Sequence, residues 1–165
     1  MNLLDIRSQL EEELTWRQNE MRFFHNQLSA MTTDEQKDCY RKALIVMLYS
    51  HYEGFSKTAF GIYADAINAE GLFIGVVNKF IAACSLDQVF LAYENRDKKS
   101  SIFKNKLPDD AKLHRFARQI DFIENFDRFE KQAACISEKV IDTEDNLKYI
   151  VLKKLLFRLG LDYDC

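Results

Sequence analysis

Proline is nearly absent from this sequence, one in 165 residues, and glycine is scarce at five. So few breakers predict long regular elements with little loop, because proline ends helices and glycine loosens them. Cysteine occurs four times, as Cys39, Cys84, Cys135 and Cys165, with no CxxC and no histidine pair nearby. That spacing matches no zinc motif and predicts reduced thiols, three of them partly buried, with no metal and no disulfide. An excess of positive charge is also lacking: 23 Lys and Arg against 26 Asp and Glu leave a net charge of -3. Nucleic acid is therefore not drawn in by an overall basic field, and an RNA contact needs a local patch. No apolar run approaches the roughly 20 residues of a membrane span. Asp5, Arg7, Glu11, Glu12 and Glu13 interrupt the first apolar residues, where a signal peptide would be continuous. These absences predict a cytoplasmic chain without membrane contact. GxGxxG, P-loop, HExxH and GxSxG motifs are missing too, so no cofactor is expected.

What is present is apolar and aromatic. Hydrophobic residues make up 47%, with 13 Phe and seven Tyr, enough for one sizeable core, and the length suits a single domain over residues 1–165. The stretch from Cys39 to Asn68 contains no proline and is predicted as a long central helix. Its first half, Ala43 through Tyr49, is apolar on nearly every side, which predicts a buried helix. Into this rod are set His51, Glu53 and Lys57, with Tyr49 four residues before Glu53. Buried polar groups need partners, so Tyr49, His51, Glu53 and Lys57 form a candidate polar cluster. For His51 a packed, hydrogen-bonded role competes with that of a catalytic base. Gly54 and Gly61 lie on nearly one face and would let another helix approach closely.

The remaining segments also read as helical. Leu3, Leu10, Leu14, Met21, Phe24, Leu28 and Met31 follow a three-four spacing, with Arg7 and Arg17 on the same stripe and Trp16 at its edge. Glu13 and Arg17 are i, i+4 partners, and Arg22 with His25, three apart, is a candidate phosphate contact. Thr33 or Asp34 suits an N-cap, and Glu70 with Gly71 marks a stop. Leu72 to Ala83 reads as a short helix, and Leu86 to Tyr93, after a capping Ser85, fits either helix or strand. Residues 94–112 are polar, and Arg96, Lys98, Lys99, Lys104 and Lys106 make them the most basic stretch. Lysines on such a loop can track phosphates without reading sequence. Asp109 and Asp110 start a helix whose apolar stripe runs Leu113, Phe116, Ile120, Ile123, Phe126 and Phe129. Thr143 to Asn146 reads as the entry to a last helix that Gly160 ends.

Three pieces together resemble a known family: the WR..E of Trp16, Arg17 and Glu20, the LYSHYEGFSK of Leu48 to Lys57, and the DNLKYIVLKKLLFRLGLD of Asp145 to Asp162. Their order is similar to that of HEPN domains (higher eukaryotes and prokaryotes nucleotide-binding), in particular the bacterial MAE-type HEPN nucleases. The resemblance implies an all-α, HEPN-like helical bundle around the central helix, usually dimeric. It also implies a metal-independent endoribonuclease family with toxin-antitoxin, phage-defence or RNA-processing roles. The family signature is Arg-(x)4–6-His, in which histidine moves the proton of the RNA 2'-hydroxyl and arginine steadies charge on the phosphate.

No arginine here is followed by histidine at that spacing; Arg17 to His25 and Arg41 to His51 are both too far apart. Two expectations follow. The first is an RNA-acting HEPN chain, shortened or naturally short, that is inactive as these 165 residues. Tyr49, His51, Glu53 and Lys57 would be its accessory polar cluster, and Arg17, Arg22, His25, Lys98 and Lys99 its RNA-backbone contacts. The second is a non-catalytic helical dimerisation module or antitoxin-like regulator. Both expect an apolar groove covered by a second copy or a partner protein.

Overall fold

The computed structural model describes residues 2–95 and 110–163, and among these every regular element is helical. The α-helices are α1 (Leu3–Gln27), α2 (Asp34–Ala69), α3 (Lys79–Ser85), α4 (Asp87–Glu94), α5 (Ala111–Glu124), α6 (Phe126–Glu130) and α7 (Tyr149–Arg158). Short 3-10 turns occur at Leu28–Ala30 and Glu138–Val140. No helix among the described residues is long and apolar enough to cross a membrane. Lys98, Lys99 and Cys165 lie outside the described residues.

The central helix starts more than a turn before Cys39 because of its cap. Thr33 Oγ1 accepts the Gln36 N–H at 3.2 Å while the Gln36 side chain accepts the Thr33 N–H at 3.4 Å, a reciprocal capping box. Gly71, at φ +59, ends the helix in the left-handed conformation that suits glycine. On one side of α2 lies α1, and Tyr40 donates its hydroxyl to the Phe24 carbonyl at 2.9 Å. On the other side the core gathers Phe60 and Ala64 with Ile81, Leu147, Val151, Leu155 and Leu159. Asn68 fixes the end of α2 to the chain at Ile136 by two bonds, donating to its carbonyl at 3.1 Å and accepting its N–H at 2.7 Å.

The first half of α2 is not buried. Ile45 is 67% exposed and Val46 70%, and Leu48, Tyr49 and Tyr52 are exposed as well. At 100° per residue, Ile45, Val46 and Tyr49 continue the side of α2 that carries Phe60 and Ala64. The packed core meets that side only in the second half, where Ser56, Phe60 and Ala64 are the buried residues of the helix. The apolar stripe runs on beyond its cover.

Four further expectations are corrected. Residues 72–78 are not helical: Ile74 and Gly75 donate to the Gln132 and Glu130 carbonyls at 2.9 and 3.0 Å, and the helix starts only after Asn78, whose side chain caps it. Helix α5 turns Phe116 and Ile123 to solvent and buries His114, Ala117 and Arg118; Arg118 Nε donates to the Tyr93 carbonyl at 3.0 Å, which holds that face inward. Thr143 to Asn146 forms a turn rather than a helix entry, and α7 begins at Tyr149. Of the cysteines, Cys39 and Cys135 are exposed and Cys84 is half-buried, all three free. The segment Asp87–Glu94 is a helix, which settles the choice between helix and strand there.

Candidate functional site: a helical turn where three segments meet

The turn of α2 from Tyr49 to Gly54 sends its polar groups in two directions. His51 points to α1. Its imidazole stands edge-on to the Trp16 ring, with centroids 5.6 Å apart at an interplanar angle of 75°. Glu20 Oε2 lies 3.1 Å from His51 Nε2, yet Nε2 has no hydrogen-bond partner. The two atoms are in contact, but their geometry falls short of a hydrogen bond. Beside it, the Arg17 guanidinium stacks 4.2 Å from the Trp16 ring centre. Arg17 Nη1 donates to the Glu13 carbonyl at 2.9 Å and also to the Glu13 carboxylate, and this pairing holds the Glu13 carboxyl below the usual range. Gly54 lies against this arrangement, and a Cβ there would stand 3.4 Å from Arg17 Nη2, about van der Waals contact.

Tyr49 and Glu53 point the other way, to residues 142–146. Glu53 Oε1 accepts from the buried Thr143 hydroxyl at 2.9 Å, and the Tyr49 hydroxyl donates to Asn146 Oδ1 at 2.7 Å. Desolvation, with the nearby Glu53 charge, raises the Tyr49 phenol above its ordinary pKa. The receiving segment is bent unusually: Glu144 and Asp145 take φ of 52° and 55° in succession, a region that costs side chains of this kind about 1–3 kcal/mol each. Asp142 Oδ1 accepts the Glu144 N–H at 2.8 Å, and Lys154 Nζ pairs with Glu144 at 2.8 Å. These contacts hold the bend against its strain. Trp16, Arg17 and Glu20 on one side and the 142–146 bend on the other therefore meet the same turn of α2.

The candidate side chains of the polar cluster divide accordingly, for geometric reasons. As i, i+4 neighbours, Tyr49 and Glu53 share one side of α2, while His51 lies on nearly the opposite side. Lys57 stays exposed, and Glu53 accepts from Thr143 instead of pairing with it. The four residues are thus not one cluster. Arg17, expected to touch an RNA backbone, is instead 9% exposed and paired with Glu13. Arg22 and His25 open into different grooves, Arg22 beside His51 and Tyr52, His25 beside Lys37 and Arg41. Gly54 admits a close neighbour as expected, whereas Gly61 faces open space. Thr143 and Asn146 carry no local signal that marks them as partners of α2, because they lie 90 and 97 residues from the groups they bond. Among the described residues, no three His, Cys, Asp or Glu side chains gather as metal ligands.

A family model described as MAE_28990-like HEPN matches residues 6–165. The chain belongs to the MAE_28990-like HEPN family. No curated protein matches it, and no solved structure does. Membership places this HEPN protein among chains of ribonuclease-like or nucleotide-related function. The meeting turn of α2 falls within the matched residues, as do its partners on α1 and in the 142–146 bend.

Proposed function

We propose that this HEPN protein acts on RNA by binding it, and that these 165 residues do not cleave it by the histidine–arginine chemistry of the family. The RNA half of this reading is supported by membership of the family, and the observation that carries the other half is the state of His51. A general base has to reach the proton it removes, within about 2.6–3.2 Å of the donor atom. The Nε2 of His51 is instead buried, with Trp16 and Glu20 beside the ring, and the guanidinium next to it is paired with Glu13. His25 and His114 likewise have no arginine at the signature spacing before them. A toxin-antitoxin or phage-defence system is the biological setting that fits such a chain.

A second reading is favoured by a different observation, the exposed stripe of Ile45, Val46, Leu48, Tyr49 and Tyr52 on α2. Contiguous apolar surface of this kind marks a protein interface. On this reading the chain is a helical interaction module whose stripe is covered by a second copy or a partner protein. One experiment separates the two. End-labelled single-stranded RNA is incubated with the chain in the presence of a chelator and run on native and denaturing gels in parallel. The expected outcome is a shifted band on the native gel and intact RNA on the denaturing one. Fragments that disappear with His51→Ala would refute the binding-only reading, and the absence of any shift would leave the interaction module.

A further inference from the structure

A groove of about 660 Å³ opens between α3, α4, the Glu138–Val140 turn and α7, on elements that take no part in the Trp16–His51 contact. One wall is aromatic. Phe157 is half exposed and stands edge-on to Phe80 at 5.3 Å and to Tyr163 at 5.6 Å, so two rings fix its orientation while leaving surface free. Phe80 is itself seated tightly, because a Cβ at Gly160 would fall 3.0 Å from its ring. The groove also carries Lys79, Lys139 and Arg158, all exposed and none of them in an ion pair among the described residues. Its two carboxylates accept from neutral amides, Asp142 from the Glu144 N–H and Asp87 from the Gln88 side chain at 3.2 Å; they keep their charge, so three cations against two anions leave the groove one positive charge in excess. An oriented, half-exposed ring flanked by three cations outside any ion pair among the described residues is a combination that binds nucleobases together with their phosphates.

We propose that this groove is a subsite for single-stranded RNA, with one base stacked on Phe157 and the adjoining phosphates against Lys79, Lys139 and Arg158. The proposal rests on the RNA-binding reading above and adds where the strand lies. Duplex RNA does not fit, because its bases are already stacked on one another and are not free to meet a ring.

The test is fluorescence anisotropy of a labelled 12-nucleotide single-stranded RNA with the full chain, over a series of salt concentrations. Phe157→Leu keeps an apolar side chain against Phe80 and removes the stacking face. It is expected to weaken binding about tenfold with no change in the salt dependence, and Phe157→Tyr is expected to restore affinity. Lys139→Gln and Arg158→Gln are expected to lower the slope of log affinity against log salt by about 0.7 each, the value for one phosphate contact on a single strand. Circular dichroism confirms that each variant is folded. If the unaltered chain binds no RNA, both this proposal and the RNA reading fall. Should it bind RNA with an affinity and slope that none of these variants changes, only the subsite falls. Competition by uridine monophosphate as strong as that by the oligonucleotide would mean a free-nucleotide site and would overturn the assignment to RNA.

Discussion

Glu53→Ala tests whether the meeting turn of α2 is a structural joint. The Glu53 carboxylate is the acceptor for the Thr143 hydroxyl at 2.9 Å, and Thr143 is buried. A hydrogen bond to a charged group contributes about 1.5–3 kcal/mol, and a buried hydroxyl left without an acceptor costs about 1–3 kcal/mol. Glu53→Ala is therefore expected to destabilise the fold by ~2 kcal/mol, which for a chain of this length lowers Tm by about 4–8 °C. Thr143→Val removes the donor at nearly constant shape. The carboxylate it leaves behind is only half-buried and can hydrate, so this change costs ~1 kcal/mol. In the double variant neither group is left unsatisfied, and the two effects are expected to fall short of additivity by about 1 kcal/mol.

Urea unfolding measures all four proteins. Trp16 is the single tryptophan, and it sits on α1 against His51, so its fluorescence follows the α1–α2 contact while far-UV dichroism follows every helix. Coincident transitions license the free energies. RNA affinity is expected to stay unchanged in Glu53→Ala. Strict additivity of the two single changes would refute the joint. So would a Glu53→Ala protein of normal stability that has lost RNA binding, since that result makes the carboxylate a site.

Two further substitutions, one labelling order and one pH dependence follow from the structure. Gly160→Ala places a side chain at φ +69 and 3.0 Å from the Phe80 ring; left-handed strain of about 1–2 kcal/mol and overpacking of about 1–3 kcal/mol are expected to appear as a clearly lowered urea midpoint. Burial raises the Cys84 thiol pKa, and its S–H is donated to the Arg158 carbonyl, so peptide mass analysis after brief iodoacetamide treatment is expected to find Cys39 and Cys135 modified well before Cys84. Equal rates would contradict that burial. Val46→Glu, on the exposed stripe, is expected to leave Tm unchanged and to abolish self-association seen by light scattering; an unaltered chain that is monomeric at micromolar concentration would count against a second copy as its cover. The Glu13 carboxyl is depressed below its ordinary 4.5 by Arg17, so its contribution is present above that pH and lost as pH falls through the folded value. Glu13→Gln is expected to flatten the acid limb of stability in that window, and an unchanged limb would remove Glu13 from its cause.

Three helix ends are legible in the sequence because they are written locally, although the starts at Lys79 and Tyr149 are not read correctly. Thr33 with Gln36, Asp110 before Ala111, and Gly160 each act within four residues of the end they define. What covers a helix is not local. Ala43 to Tyr49 is apolar all round, but that pattern cannot tell a buried segment from one whose cover stops at Ser56. The buried face of α5 escapes the apolar pattern for a related reason, since Arg118 is held inward by a carbonyl 25 residues away. The site is legible as a set of polar residues in an apolar rod, and so is its division: a 100° step per residue separates His51 from Tyr49 and Glu53. Their partners are not, because Thr143 and Asn146 are distant in sequence and sit beside a bend with two consecutive positive φ angles. The division carries a consequence for function. The side chains in the three family-like pieces face one another, Trp16 and Glu20 to His51 and Tyr49 to Asn146, and the groups turned into these contacts are covered: Tyr49 is bonded to Asn146, and His51 Nε2 and Arg17 Nε are buried. A strand of RNA must then be met by side chains with capacity left over, and Lys79, Lys139 and Arg158 beside Phe157 are exposed and outside any ion pair among the described residues.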